Sequence, residues 1–500
     1  MKPLVIRADA GPAIGTGHVM RCLALAEAWQ DAVGGDVFFV LACDAQPLEA
    51  RLKEEGIEII HICQAAGTAG DADKTASIAR TSGADWIVVD GYQFGADFQK
   101  RIKDAGFSLL FIDDYGHADH YYADIVLNQN IYANMSFYKI HEPYTRFLLG
   151  PEYVLLRKEF LKRPFPEPAI REIARRILIT LGGSDKDNIT FRVIEAVKAV
   201  DIKDIKAIVV AGGSNPNSER LEGSLKNYPG LRLIKNARNM PELMAWADIA
   251  ISAGGSTCWE LLFMRIPSLV IPIADNQKPI VCELETRHLA QGVDVSVAKN
   301  PGELAKIITG LLVSKEKRSA FSERMVQCID GKGPVRVICA MGDNGIMLRR
   351  VEPSDCNQIW LWINDPLVRS VSFNPEPIPL ERHKEWFSSV LNNPAFVYYI
   401  ALDGIAKPIG QVRFRITSHE AVISVLLDPG YRGRSLGSLL IRDATEKFFQ
   451  ETEIEKVKAF IKTGNEVSRR AFTTAGYSEI GLSEYSGEQV YLLIKQRARP

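Results

Sequence analysis

The chain has 500 residues, 46% of them apolar and 24% charged, an ordinary folded composition with room for about three domains of roughly 150 residues. Sixty basic residues against sixty-one acidic ones leave a net charge of −1, so nothing global favours nucleic acid or an anionic membrane as a partner. No apolar run approaches the ~18 residues that span a bilayer. The first nine residues (MKPLVIRAD) hold too short an apolar stretch for an export signal, so a cytoplasmic location is expected.

The eight cysteines include no C-x-x-C pair. They are expected to be small, mostly buried apolar residues, with neither structural disulfides nor a zinc finger.

In chain order, Leu4–Ile6 predicts a strand, Val19–Trp29 a helix and Val37–Leu41 a strand. Ile57–Ile60, Trp86–Val89 and Leu109–Ile112 continue the series. Near-continuous apolar strands separated by helices predict a parallel sheet covered on both faces. Arg163–Pro168 carries three prolines in six residues and reads as a linker. The pattern then restarts: Arg176–Leu181 runs into Gly182-Gly183-Ser184, Ala207–Val210 into Gly212-Gly213-Ser214, and Ile249–Ile251 into Gly254-Gly255-Ser256, before Leu269–Ile271. Two such domains in succession place a ligand cleft at the carboxyl ends of their strands.

A second break is expected from Gly331–Pro334 to Gly342–Gly345. Beyond it Val397–Ile400, Gly410–Arg415 and Ala421–Leu427 alternate like neighbouring antiparallel strands, and a helix is predicted over Ser435–Phe449. The expected domains are residues 1–162, 171–341 and 346–500.

The first candidate site follows the first strand. Gly15 and Gly17 open a helix, where backbone amides can approach an anionic or hydroxyl-rich ligand. The spacing is neither a Rossmann fingerprint nor a P-loop. His18, in the first turn, faces the positive end of the helix dipole, which favours the neutral imidazole of a base. From position alone it is equally a residue that caps the helix or packs in the crevice.

Residues 7–26 (RADAGPAIGTGHVMRCLALA) resemble the opening of the UDP-sugar hydrolase family of pseudaminic acid biosynthesis. The resemblance continues through VVDGY (88–92), Asp113-Asp114, LNQN (127–130), LGGSD (181–185), SAGGSTCWE (252–260) and DNQ (275–277), and covers residues 1 to about 340. It implies a GT-B-like fold, related to the lipid II-forming GlcNAc transferase. It also implies hydrolysis of UDP-2,4-diacetamido-2,4,6-trideoxy-β-L-altropyranose by direct attack of water, with inversion and no metal. His18 matches the family's proposed base, and Tyr92 and Asn276 match polar residues near the sugar and water. The UDP-sugar would be held by Gly15, Gly17, Gly183, Ser184 and the turn Gly254-Gly255-Ser256-Thr257. Glu260 matches the acid that holds ribose hydroxyls, each oxygen accepting one. Asp113, Asp114, His117, Asp119 and His120 could be read as a metal cluster, but a polar loop is the expectation.

The second candidate site is the loop from Leu427 through Arg432, Gly433, Arg434, Ser435, Leu436, Gly437 and Ser438. It resembles the Q/R-x-x-G-x-G/A acetyl-CoA pyrophosphate loop of the GNAT acetyltransferases, with Ser435 in place of the central glycine. Asn465, Ser468, Phe472, Gly476 and Tyr477 match a second CoA-side motif, with Asn465 near the pantetheine arm. Trp360–Pro366 and His383-x-x-Trp386-Phe387 resemble members that acetylate the 4-amino group of a UDP-linked altrosamine. Phe472 stands where many members place the tyrosine that protonates the CoA thiolate, which leaves Tyr485, Ser468 or water for that role.

The sequence thus predicts an α/β chain: a GT-B-like pair of doubly wound Rossmann-like domains followed by an α+β GNAT domain. The expected activities are acetyl-CoA-dependent N-acetylation of UDP-4-amino-4,6-dideoxy-N-acetyl-β-L-altrosamine and then metal-independent hydrolysis of the diacetamido product. The alternative is a GT-B glycosyltransferase with a UDP-sugar donor, carrying an acetyl-CoA or UDP-sugar binding module without turnover. No oligomeric state is assigned.

Overall fold

The runs LVIRA, VFFVL and WIVVD are apolar on both faces, as strands between two helical layers must be. In the computed structural model they build the first of three sheets. The structure describes residues 2–11, 15–43, 46–162, 170–182, 185, 187–212, 217–225, 228–326, 328–342, 346–403, 406–433 and 436–497. The expected linker at Arg163–Pro168 lies outside them, as do the second and third residues of the first two Gly-Gly-Ser turns.

The first sheet holds β1 (Leu4–Ala8), β2 (Val37–Leu41), β3 (Glu58–His61), β4 (Trp86–Asp90), β5 (Ser108–Ile112), β6 (Ile125–Asn128) and β7 (Arg146–Leu149). Their order is β3-β2-β1-β4-β5-β6-β7, with every pair parallel. Strand order reverses between β1 and β4, and their register runs from Leu4↔Trp86 to Ala8↔Asp90. The loops leaving Ala8 and Asp90 therefore flank one crevice at the switch point. Leu4, Val5, Ile6, Ile87, Val88 and Val89 are fully buried. Each such side chain contributes roughly 1.5–3 kcal/mol, so the strand ends that carry the crevice stand on a rigid base.

The second sheet holds β8 (Arg176–Thr180), β9 (Lys206–Ala211), β10 (Leu231–Lys235), β11 (Ile249–Ala253), β12 (Ser268–Ile271) and β13 (Gln291–Gly292). It is parallel in the order β10-β9-β8-β11-β12-β13, so its own reversal lies between β8 and β11. Both sheets belong to one compact unit, Met1–Ile338.

The second unit, Cys339–Pro500, carries β14 (Met347–Arg350), β15 (Phe396–Leu402), β16 (Pro408–Thr417), β17 (Glu420–Leu427), β18 (Lys456–Lys462), β19 (Ser478–Tyr485) and β20 (Glu488–Gln496). The order is β14-β15-β16-β17-β18-β20-β19. All pairs are antiparallel except β17 with β18, which the helix Leu436–Glu451 connects as a crossover. That helix packs on the Val412/Phe414 face of β16, where the Phe414 and Phe448 rings stack at 4.2 Å.

Several local expectations need correction. Within the expected break, Gly333–Met341 is a helix with Pro334 in its first turn, where the missing N–H costs nothing. The boundary between the two units, Ile338/Cys339, falls inside this helix. The cysteines are all free, but only Cys22, Cys258 and Cys339 are buried. Cys63, which follows the strand Glu58–His61, and Cys282, on the helix Lys278–Thr286, are exposed. Among the described residues no helix is long and apolar enough to cross a membrane.

Candidate active sites

The loop after β1 closes on itself. Gly11 and Gly15 exchange backbone hydrogen bonds, and Gly15 has a φ of +78°, a conformation a side chain would strain. The chain then enters the helix Gly17–Val33 with Thr16 as N-cap, whose side chain makes no capping bond. His18 is thereby placed in the first turn with its ring over the end of β4.

There it meets a buried ion network. His18 Nδ1 lies 2.7 Å from Asp90 Oδ1. Arg21, one turn along the same helix, donates from Nε to Asp90 Oδ2 at 2.6 Å and from Nη2 to Asp90 Oδ1 at 2.7 Å. Its Nη1 donates to Asp114 Oδ1 at 2.7 Å. Asp114 also accepts from Asn130 Nδ2 at 2.7 Å and from the Tyr92 hydroxyl at 2.8 Å. Tyr92 in turn accepts from Asn276 Nδ2 of the second sheet's domain at 3.3 Å. The His18 and Tyr92 rings meet edge to face at 4.9 Å.

Charges this deep must compensate one another. Asp90 is 0% exposed, and His18, Arg21 and Asp114 are each below 9%. Burial pushes the Asp90 carboxyl up, but Arg21 and His18 outweigh it and hold that carboxyl well below the usual range. For Asp114 burial is again outweighed by Arg21. Burial and the neighbouring Asp114 push the Tyr92 phenol far up, so it remains a donor to that carboxylate. An ionised Asp90 can only accept, so Nδ1 of His18 carries a proton, and whenever the ring is neutral Nε2 presents the lone pair. The reading from the helix dipole alone missed Asp90 and Arg21, which stand 2.7 and 3.2 Å from Nδ1.

The residues expected to hold a nucleotide converge on the same crevice. A side chain at Gly17 would stand 3.8 Å from Ser256 Oγ, so the mouth of the first helix faces the Gly254–Thr257 turn. That turn is tied down by Gln277, whose Oε1 accepts from Gly254 N at 3.1 Å and Ile273 N at 3.0 Å. A Cβ at Gly254 would come within 2.8 Å of Val281 and 3.0 Å of Gln277, so only glycine permits this approach. Glu260 differs from expectation: its Oε1 already accepts from Arg157, from Nη2 at 2.7 Å and Nε at 3.2 Å, which leaves Oε2. Gly183 and Ser184 lie outside the described residues.

Of the acidic cluster after β5, Asp114 belongs to the network above and Asp113 shapes the loop. Asp113 Oδ1 accepts from the amides of Asp114, Tyr115 and Gly116 and faces His117 Nδ1 at 3.1 Å, while Tyr121 bonds Oδ2. His120 pairs with Glu142 at 2.9 Å. Among the described residues no group of three or more such side chains could hold a metal.

In the second unit, β17 and β18 pair only at Glu420↔Lys456, Ala421↔Val457 and Val422↔Lys458. Beyond these residues they part, and a cavity of about 640 Å³ opens between Ile423–Leu426 and Ala459–Lys462. Asn465, Ser468, Phe472 and Tyr485 line it. Asn465 Oδ1 caps the helix Glu466–Thr474 by accepting from Ser468 N at 3.1 Å. Phe472 packs edge to face on Tyr477 at 5.1 Å, and Tyr485 stacks on Phe460 at 4.1 Å while accepting from Arg415 Nη2 at 3.2 Å. Leu427, Arg432, Gly433, Leu436, Gly437 and Ser438 gather at the end of β17 and do not line this cavity. Arg432 donates to Asp365 Oδ1 at 2.9 Å and to Leu427 O at 3.2 Å, and its Nη2 is buried without a partner. Arg434 and Ser435 lie outside the described residues.

Of the tryptophan motifs, Trp362 is buried and donates to Asp428 Oδ2 at 2.9 Å, whereas Trp386 lines the cavity. Arg413, which faces Trp386, was missed. Its signal was available: Gln411, Arg413 and Arg415 alternate with the apolar Val412 and Phe414 and so share one face of β16.

Residues 177–328 match the glycosyltransferase family 28 C-terminal domain, and residues 346–478 match the acetyltransferase (GNAT) domain. The chain joins these two kinds of domain. An uncharacterized protein of Methanocaldococcus jannaschii is 24% identical over 95% of this chain and 96% of its own length. The spore coat polysaccharide biosynthesis protein SpsG of Bacillus subtilis is 26% identical over 68% of this chain and 97% of its own. The UDP-2,4-diacetamido-2,4,6-trideoxy-β-L-altropyranose hydrolase of Campylobacter jejuni is 27% identical over 55% of this chain and 93% of its own. The chain is similar to that hydrolase, with a GNAT domain added.

Proposed function

We propose that the chain is a bifunctional enzyme of nonulosonic acid synthesis. Its second unit would acetylate the 4-amino group of UDP-4-amino-4,6-dideoxy-N-acetyl-β-L-altrosamine with acetyl-CoA. Its first unit would then hydrolyse UDP-2,4-diacetamido-2,4,6-trideoxy-β-L-altropyranose to free sugar and UDP. The observation that carries the hydrolase reading is the oriented His18, with Nδ1 on Asp90 and Nε2 free.

In this mechanism a water oxygen attacks the anomeric carbon, its proton passes to His18 Nε2, and the bond from that carbon to the diphosphate oxygen breaks with inversion. Two carboxylates, Asp90 and Asp114, surround one guanidinium, Arg21, so the network is one negative charge in excess while His18 is neutral. The proton gained in the step cancels that excess, which favours transfer at the moment of attack. Tyr92 and Asn276 would hold the water or sugar hydroxyls, and the Gly254–Thr257 turn the departing diphosphate. No metal is assigned a role. The acetyl transfer reading is supported by the GNAT match and by Asn465, Ser468 and Tyr485 around the gap between β17 and β18.

A glycosyltransferase reading is favoured by the family 28 match and by a 33% identity over 104 residues to the N-acetylglucosamine transferase of Clostridium perfringens. Release of free sugar and UDP with no acceptor present would exclude it. Phe472, which offers no proton, favours a second unit that binds without turnover. Mass spectrometry of the products from the UDP-4-amino sugar, with and without acetyl-CoA, tests both steps. Diacetamido sugar plus UDP only when acetyl-CoA is present is the expected result.

A further inference from the structure

The cavity between β17 and β18 is lined by five cationic side chains, Arg369, Arg382, Arg413, Arg415 and Lys462, and by one carboxylate, Glu376, which is exposed. Three of the cations have occupations of their own. Lys462 pairs with Glu488 at 2.9 Å, Arg415 donates to Tyr485, and Arg369 donates to the carbonyls of Asn374 and Glu376 at 3.1 and 3.2 Å. Arg382 is exposed, whereas Arg413 is half-buried. Its guanidinium lies over the Trp386 ring, 4.9 Å from the centroid, and among the described residues no carboxylate pairs with it. Burial, with Arg415 beside it, pushes this guanidinium below its ordinary value.

A half-buried cation without a counter-ion is unfavourable unless the site's ligand supplies the negative charge. We propose that Arg413 is the anchor for a phosphate group on the acceptor, so that this cavity selects an amine carried on a diphosphate-linked sugar and rejects polycationic amines. The inference rests on the reading that the second unit acetylates a nucleotide-linked amino sugar, and it names the side chain that recognises the nucleotide part. Trp386 holds the guanidinium plane by cation–π contact and leaves its edge N–H groups for phosphate oxygens. The surrounding like charges focus a positive field into the cavity, which draws in a diphosphate and repels a polyammonium chain. The acetyl-CoA pyrophosphate is the other phosphate source, but of its expected loop Arg432, Gly433, Leu436, Gly437 and Ser438 lie outside the lining of this cavity.

The test measures thiol release by the full-length chain with two acceptors: the UDP-linked 4-amino sugar, and the same amino sugar as its methyl glycoside. A charge-assisted hydrogen bond of about 1.5–3 kcal/mol corresponds to roughly 10–100-fold in affinity. Arg413→Met is therefore expected to raise KM for the UDP-linked acceptor ~10–100-fold, with KM for acetyl-CoA and turnover of the methyl glycoside unchanged. Arg413→Lys should recover part of the loss, and an unchanged KM for acetyl-CoA in both variants reports an intact fold. UDP should compete with the acceptor in the wild type and do so more weakly in Arg413→Met. An unchanged acceptor KM, or a rise confined to acetyl-CoA, overturns the proposal while acetylation of a UDP-linked sugar stands. No thiol release from the wild type with the UDP-linked acceptor overturns that underlying reading, and the proposal with it.

Discussion

His18 and Asp90 lie 72 positions apart in the chain, yet Nδ1 of one stands 2.7 Å from Oδ1 of the other. The pairing of β1 with β4 brings them together, since Ala8 and Asp90 are register partners and His18 follows from the loop after Ala8. This contact orients the imidazole, and Arg21 orients the carboxylate.

Removing the base is the direct test. His18→Asn is expected to lower hydrolase kcat by roughly 10²–10⁴-fold while affinity for UDP changes little. Product release by chromatography measures the first quantity and calorimetric titration of UDP the second. Wild-type turnover in this variant would remove His18 from the chemistry.

Asp90→Asn keeps the shape of the side chain but can present an N–H to Nδ1. The ring would then be held in the other tautomer, with its proton on Nε2, and kcat should fall by about 10²–10⁴-fold. A drop smaller than about tenfold in a variant of normal thermal stability would show that Asp90 only fills space.

Tyr92 and Asn276 join the two halves of the first unit through one hydrogen bond of 3.3 Å. Single variants Tyr92→Phe and Asn276→Ala should each reduce hydrolysis, and their double-mutant cycle should show a coupling of about 0.5–1.5 kcal/mol in kcat/KM. Strict additivity would mean that the bond is absent in the working enzyme.

The pH dependence has a defined sign. Asp90 and Asp114 titrate below the ordinary carboxylate range when folded, so their stabilising contribution is fully present above about pH 4 and is lost as pH falls through the depressed folded values. Arg21→Met removes the cation responsible and leaves two buried carboxylates facing each other. A cost of about 3–5 kcal/mol at pH 7 is expected, smaller at pH 4 where the carboxyls can protonate. Thermal melts at both pH values measure it, and an equal loss at both would contradict the linkage.

The two candidate sites use no residue in common. Glu260→Ala should weaken UDP-sugar hydrolysis and leave acetyl transfer intact. At Gly437 a Cβ would sit 3.5 Å from Leu427 and 4.0 Å from Ala471, ordinary contact distances, so alanine should be tolerated there. Gly437→Trp should block CoA by bulk and spare hydrolysis of pre-acetylated substrate. Expression of residues 1–341 and 346–500 as separate chains tests the same independence, and loss of both activities in the fragments would defeat it.

Much of this was legible in the linear chain. Runs such as Val37–Leu41 and Trp86–Val89 are apolar at every position, and only a sheet covered on both faces buries them all, so the parallel sheets followed from hydropathy. Glycine-rich turns directly after such strands marked the carboxyl-end crevice, because ligands bind where strand order reverses. The strands β6 (IVLN), β7 (RFLL) and β10 (LRLIK) each hold three apolar residues in runs of four or five, too short to show a period, and β19 and β20 alternate only weakly.

The tertiary structure decided which charges meet. The sequence placed His18 and Arg21 in one motif and Asp90 and Asp114 in two others far along the chain, with only the helix dipole legible as an electrostatic feature near His18. Strand register and helix rotation instead gathered all four into one buried network, where low polarity makes each pairing decisive for protonation and tautomer. The same holds for Arg413. Its place on the alternating face of β16 could be read along the chain, but only folding half-buries it over the Trp386 ring with no carboxylate paired to it among the described residues.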